Sequence, residues 1–307
     1  MAQPQPGIIL EPNQSALFVV CRVPNAKIDG QRIARVAAGI PSLVDTIGTI
    51  DRAAELVCTA SFGAAFWNFL SPAERPAALR PFTAVHTAGR AAPSTGGDLL
   101  LHIISKRMDL NMEFGLRAMA QFGQAVEVTD AVHGFRYLDS RDLTGFIDGT
   151  ENPRGSAERA AVALIGQEDP TFAGGSYVFT QRYVHDLNKW ATRAVQEQEQ
   201  IIGRRKADSE ELTGDRTRPT AHISRVGIEE NGKDLQIVRH SFPYGTPAGA
   251  GLFFIAYTRD LAIPEKMLAR MMGRSGDGLH DHLMDYTQAV SGATFFAPSL
   301  DMLGSLA

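Results

Sequence analysis

The chain has 307 residues, 44% of them hydrophobic and 21% charged, and its 30 basic and 34 acidic side chains leave a formal charge of −4. That composition supports one large or two medium-sized domains with a substantial core, and it excludes the concentrated basic face of a nucleic-acid binder. No apolar run approaches the ~18–20 residues of a membrane helix, and the opening stretch MAQPQPGIILEPNQSALFVV has no basic n-region or small-residue cleavage site, so a cytoplasmic protein is expected.

In chain order, residues 1–15 are rich in Pro and Gln and read as an extended arm, followed by a strand over 16–23. Helical periodicity runs through Ile33, Val36, Ala37, Ile40, Leu43, Val44 and Ile47, with a break or kink at Pro41. A strand at 55–61, a Pro-rich loop at 71–80, a Gly-rich turn at 94–98, a strand at 99–105, a helix at 109–122 and a strand at 124–130 follow. This β-α-β-β-α-β order is ferredoxin-like. The second half repeats the rhythm: a strand at 176–184, a helix at 186–203, strands at 221–226, 235–240 and 251–258, a helix opening at Pro264, a helix at 279–290 and a last strand at 293–297. The expected fold class is therefore α+β, two ferredoxin-like domains of antiparallel sheet flanked by helices. The boundary falls between residues 140 and 141, with the turn-rich segment 140–156 opening the second domain.

Cysteine is sparse. Cys21 and Cys58 both sit in apolar segments, which suits a reducing compartment. There is no C-x-x-C-H and no Cys-rich spacing, so a covalent c-type haem, an iron–sulfur cluster and a structural zinc site are all unsupported. Any cofactor is held non-covalently.

The most informative segment is SRDLTGFIDGTENPRGS, at 140–156. Taken alone, Asp148–Gly149 is an ordinary turn pair. The longer string GFIDGTENPRG resembles the signature of the dye-decolourising peroxidases, and the chain resembles their compact bacterial class, often called B-type. The resemblance implies a haem peroxidase with one non-covalent haem b per chain in the C-terminal domain. Asp148 would stand over the haem, with Gly149, Thr150 and Glu151 lining it. His222, in TAHISRVG, would ligate the iron; the other histidines lack a comparable setting, and His280 and His282 are expected at the surface. In QIVRHSFPYG, Arg239 and Ser241 share one strand face, and the resemblance makes Arg239 the distal arginine and Ser241 its polar companion, where many relatives carry Asn. Leu252 and Phe254 would wall the distal side. Asp285 would accept a hydrogen bond from the proximal imidazole, and Arg225 would meet a haem propionate.

The implied reaction consumes hydrogen peroxide and oxidises dyes, phenols or other aromatic electron donors. Asp148 would carry a proton between the two peroxide oxygens, and Arg239 would stabilise charge on the departing one. A carboxylate base with an ordinary pKa near ~3.9 predicts fastest turnover at about pH 4–5.5. Tyr177, Tyr183, Trp190 and Tyr244 are aromatic candidates for electron transfer, but none is assigned. Relatives of this class form dimers or larger assemblies, so a homo-oligomer is expected, and no extended tail argues for packaging in a protein shell. Two alternatives use different readings of the same residues: a haem-handling protein that releases iron from haem, and a non-catalytic ferredoxin-like ligand-binding module.

Overall fold

The computed structural model describes residues 2–11, 13–87, 89–247 and 249–307. In its first half, strand β1 (Ser15–Arg22) leads into helices α1 (Ala26–Ala38) and α2 (Ile40–Gly48). The break falls where Pro41 enters the first turn of α2, a position that tolerates a missing N–H. Then come β2 (Val57–Gly63), α3 (Ala64–Leu70), a small hairpin of β3 (Val85–Thr87) and β4 (Arg90–Ala92), β5 (Leu99–Ser105), α4 (Met108–Phe122) and β6 (Glu127–Phe135). The second half runs through α5 (Gly155–Ala163), β7 (Ser176–His185), α6 (Leu187–Ala191), α7 (Val195–Ile202) and α8 (His222–Val226). A hairpin of β8 (Glu229–Glu230) and β9 (Lys233–Asp234) precedes β10 (Val238–Arg239), β11 (Phe242–Thr246), β12 (Gly249–Thr258), α9 (Ala262–Met271), β13 (Thr287–Ala289), β14 (Ala293–Ala297) and α10 (Leu300–Ser305).

The pairing order makes the two ferredoxin-like units explicit. The first sheet runs β6-β1-β5-β2 and the second β11-β12-β7-β14, both fully antiparallel. Numbering the four main strands of each unit from its own start, both follow the order 4-1-3-2. The sheets meet edge to edge at Tyr244↔Gly134 and at Phe295↔Gly63, so these strands close into a barrel with no free edge.

Strand alternation divides the side chains between two layers. Leu17, Val19 and Cys21 of β1 face the helices, whereas Ala16, Phe18 and Val20 face the barrel interior with Phe242, Phe253, Ile255, Tyr257 and Phe295. Phe18 of the first unit stacks on Phe253 of the second with ring centroids 4.0 Å apart. Each such fully buried aromatic contributes on the order of 2–3 kcal/mol by leaving water.

Several second-half elements differ from the sequence expectation. Residues 222–226 form α8, a helix, not a strand; a run this short carries too little periodicity to separate the two. The helix expected over 186–203 is split into α6 and α7, because Ala194 adopts an extended ψ of 148°. The helix expected over 279–290 is a 3-10 turn, His282–Asp285, followed by β13. Asp281 caps that turn by accepting from the Leu283 N–H, and β13 pairs with the end of β7. Helices α3 and α5 carried no sequence expectation.

Candidate functional site

The loop between the two units is built on hydrogen bonds to its own backbone. Asp142 N–H donates to the Phe146 carbonyl (2.8 Å), Gly145 N–H to the Asp142 carbonyl (2.8 Å) and Asp148 N–H to the Ser140 carbonyl (2.9 Å). Gly145 and Gly149 adopt φ of +90° and +86°, in the left-handed region where glycine is favoured, and so bracket the turn that presents Asp148. Beneath it, His185 Nε2 lies 3.1 Å from Asp142 Oδ1, and Thr144 donates twice to the same carboxylate. Burial alone would raise the Asp142 pKa; the contacts with His185 and Thr144 outweigh it and hold the carboxyl below its ordinary value. Trp190 Nε1 donates to the Thr144 carbonyl at 2.9 Å. The loop is therefore a fixed platform.

Arg239 approaches that platform from β10. Its Nη1 donates to Asp148 Oδ1 at 3.1 Å, joining residues 91 positions apart, and both side chains remain about a quarter exposed (23% and 26%). Register places Arg239 opposite Ala256, and Phe242 opposite Phe253. Arg239, Ser241, Leu252 and Phe254 consequently share one face of the second sheet, while His240, Phe253 and Ile255 point into the barrel. Ser241 Oγ accepts a 3.3 Å bond from the Ile255 N–H. Leu252 and Phe254 are only partly buried, in contrast to the buried Phe253 and Ile255 beside them. Thr150 and Glu151 are exposed, and Glu151 pairs with Arg204.

His222 begins α8. Its Nδ1 lies 2.6 Å from Oδ2 of Asp281, a fully buried carboxylate. A carboxylate can only accept, so the proton resides on Nδ1 and Nε2 is left with a lone pair for a metal. Among the described residues nothing hydrogen-bonds to that Nε2. Asp281 lies over the β7–β12 face just described: Tyr183, which pairs with Leu252, has its hydroxyl pKa pushed up by burial and, secondarily, by the charge of Asp281. On the same face Tyr183 donates to Gln181 Oε1 at 2.6 Å, and Gln181 Nε2 is buried with no partner among the described residues.

Two expected roles are corrected. Asp285 is not the acceptor for His222: its carboxylate sits 3.1 Å from His280 Nε2 and 3.7 Å from Arg90. The expectation assumed a helix over 279–290, and with a 3-10 turn there the inward carboxylate is Asp281, which the sequence reading missed. Arg225 does not face a propionate. It is 2% exposed, and its guanidinium is spent on Asp277, Ser275 and the carbonyls of Arg270 and Leu279. It ties α8 to the loop after α9 and so fixes the helix that carries His222.

A second residue escaped the sequence reading. Asn152, inside the quoted signature, bonds both backbone groups of Arg239. A separate open recess of about 740 Å³, lined by Tyr137, Leu138, Arg141, Trp190, Val195 and Lys206 among others, includes none of the candidate site side chains. Tyr177, Tyr183, Trp190 and Tyr244 are all buried.

Family models described as Dyp-type peroxidase match both halves of the chain, the N-terminal model over residues 5–136 and the C-terminal model over 139–302. The chain belongs to the Dyp-type peroxidase family. Within it, the chain is 41% identical to a dye-decolorizing peroxidase from Mycolicibacterium paratuberculosis, over 98% of this chain and 85% of that protein. It is 39% identical to one from Mycobacterium tuberculosis, over 98% and 89%. Among solved structures, DyPB from Rhodococcus jostii superposes with a TM-score of 0.94 at 39% identity, covering 98% of this chain and 97% of that one. A DypB variant in complex with heme superposes at 0.95 with 38% identity and full coverage of both chains. The encapsulated DyP-type peroxidase from Mycobacterium smegmatis gives 0.95 at 36% identity, covering 99% and 98%. Like other Dyp-type peroxidases, the chain is an enzyme of peroxide-dependent oxidation, and no helix of its described residues is long and apolar enough to cross a membrane.

Proposed function

We propose that this Dyp-type peroxidase binds one non-covalent haem b at the open face of its second sheet, where His222 would hold the iron and Asp148, Arg239 and Ser241 would act on the peroxide. The observation that carries this reading is the prepared imidazole: Nδ1 is bound to buried Asp281, and Nε2 has no partner among the described residues. The partly exposed Leu252 and Phe254 and the orphaned Gln181 amide on the same face also fit a flat, largely apolar group. When bound, the haem supplies a redox-active iron that takes oxidising equivalents from hydrogen peroxide and passes them on to aromatic donors one electron at a time.

The protein's own part is proton and charge management. Asp148 Oδ1 is engaged by Arg239, which leaves Oδ2 to take a proton from one peroxide oxygen and return it to the other. The Arg239 guanidinium stabilises negative charge developing on the departing oxygen. Ser241, with its Oγ already accepting from Ile255, can donate to a bound peroxide. Gly149, Thr150 and Glu151 form the rim. The buried Asp281 keeps the imidazole electron-rich and correctly turned.

The same reading divides the chain at 140/141 and makes the protein a cytoplasmic homo-oligomer. Two free buried thiols, Cys21 pushed up to about 12 by burial and Cys58 also raised, suit a reducing compartment. Exposed Ile28, Leu116 and Leu138 offer apolar surface for self-association. Release of iron from haem would use the same residues, and no observation here favours it.

The test is the visible spectrum of the purified protein before and after one equivalent of hydrogen peroxide, in the wild type and in Asp148→Ala, Arg239→Ala and His222→Ala. A haem Soret band that responds rapidly to peroxide in the wild type and slowly in the first two variants is expected. Absence of haem after expression with adequate haem supply contradicts the proposal.

A further inference from the structure

Asp148 and Arg239 meet through one hydrogen bond of 3.1 Å between partly exposed groups. Such a contact is too weak to hold a loop against a strand by itself. A second connection lies immediately beside it. Asn152 Nδ2 donates to the Arg239 carbonyl at 2.8 Å, and Asn152 Oδ1 accepts from the Arg239 N–H at 2.9 Å, so one side-chain amide takes both backbone groups of the arginine. The backbone N–H of Asn152 donates to the Gly149 carbonyl at 3.1 Å and closes the turn that follows Asp148.

The position of β10 explains why an amide is needed. This two-residue strand ends the sheet order and, among the described residues, pairs only with β12, so the outer edge of Arg239 has no neighbouring strand there. Asn152 takes the place of that strand. Only an amide side chain carries a donor and an acceptor on one planar group with the spacing of a peptide. Aspartate would keep the bond from the Arg239 N–H but set an anion against the Arg239 carbonyl, and alanine would lose both bonds.

The back of the arrangement is tied separately. Arg159, itself 2% exposed, donates to the Pro153 carbonyl and pairs with Glu11 at 3.0 Å. Glu11 also accepts from the Gly155 N–H, and His240 Nε2 lies 3.0 Å from the Ile8 carbonyl. The N-terminal arm therefore anchors both segments from behind, which leaves Asn152 as the link at the front, where the two reactive groups face each other.

We propose that Asn152 is a positioning residue: it locks the Asp148 loop to the Arg239 strand, so that carboxylate and guanidinium keep one spacing through turnover. This rests on the peroxidase reading above. The experiment uses haem-loaded Asn152→Ala and Asn152→Asp beside the wild type and Asp148→Ala, with hydrogen–deuterium exchange by mass spectrometry as the readout independent of activity. In Asn152→Ala, exchange is expected to rise together in residues 145–155 and 238–242, while the strands at 99–105 and 176–185 stay protected. Its rate of reaction with hydrogen peroxide should fall roughly 10- to 100-fold, the cost of ångström-scale misplacement, with haem content and the KM for the electron donor unchanged. Asn152→Asp should lie between the two, and it carries the same readouts if the alanine variant does not fold.

Exchange that rises in only one segment, or a wild-type peroxide rate despite raised exchange, overturns the role of Asn152. A full rate in Asn152→Ala with a lost rate in Asp148→Ala defeats only this inference. A full rate in Asp148→Ala defeats the role given to Asp148 in the reading above, and with it the need to hold that carboxylate in place.

Discussion

The two ferredoxin-like units share one strand order and differ in how their outer faces are covered. On the first, α4 runs for 15 residues, about 22 Å at ~1.5 Å per residue. With α1 it seals the sheet: Leu110, Phe114, Ala118 and Phe122 are buried, as are Ile33, Ala34 and Ala37, and every residue of β5 is buried. On the second, α9 has ten residues and α8 five, about 15 and 7 Å of cover for strands of ten residues. There β12 alternates between buried and half-buried positions, and Leu252 and Phe254 remain partly open. Identical topology thus produces a closed core in one half and a more open, reactive face in the other, where the covering helices are shorter.

The sharpest way to break the contrast is at the reactive face itself. Asp148→Ala and Arg239→Leu should each slow the reaction with hydrogen peroxide by about 10²–10⁴-fold, yet shift denaturant midpoints little, because both side chains are partly exposed and their pair contributes at most about 1 kcal/mol. Phe114→Ala on the sealed face should do the reverse. It should lose about 3–5 kcal/mol of stability in a guanidinium titration and, where folded, retain the peroxide rate. If the two classes of variant had the same effects, coverage would not be what separates the halves.

Next in size is an acid effect. His240 is buried in the barrel, and burial, with a further push from Arg159, lowers its pKa from 6.5 to about 4 despite its bond to the Ile8 carbonyl. Because the folded value lies below the unfolded one, the unfolded chain binds the proton first. Stability is complete above pH 6.5 and falls as pH drops toward about 4, by on the order of 3 kcal/mol. His102, lowered by burial and by His240, adds to the same trend. His240→Gln, which keeps a donor for Ile8, should flatten the dependence of Tm on pH across that window.

A smaller contrast separates two carboxylates four residues apart. Asp281→Asn should weaken haem retention about 10- to 100-fold, as loss of a hydrogen-bond partner behind a metal ligand does, whereas Asp285→Asn should be within error of wild type in a haem-transfer assay. Smallest is Phe254→Ala, whose half-buried ring should cost about 1–2 kcal/mol, well below Phe114→Ala.

How much of this was legible beforehand follows from how local each signal is. Strands 99–105 and 293–297 appeared at their full lengths, because buried apolar runs bounded by turns are local patterns. The ferredoxin-like order was likewise readable, but closure into a barrel was not, since it depends on edge contacts such as Tyr244↔Gly134 between distant residues. At the site, Asp148 and Arg239 were marked by a long motif and by strand alternation. Asp281 was missed because its role depends on a turn that a helical reading of 279–290 conceals. Arg225 was assigned by charge alone, and its real partners, Asp277 and Ser275, lie 50 or more positions away. Asn152 stood inside the quoted motif, yet nothing local indicates that its amide spans to residue 239.

The central claim is that the sparsely covered face holds haem through His222. The most direct measurement is the electron paramagnetic resonance spectrum of the ferric protein, in the wild type, in His222→Ala and in His222→Ala supplied with free imidazole. Histidine-ligated haem in the wild type, its loss in the variant and its return with imidazole are the predicted results. A His222→Ala protein that keeps its haem and an unchanged spectrum would place the iron elsewhere and contradict the account.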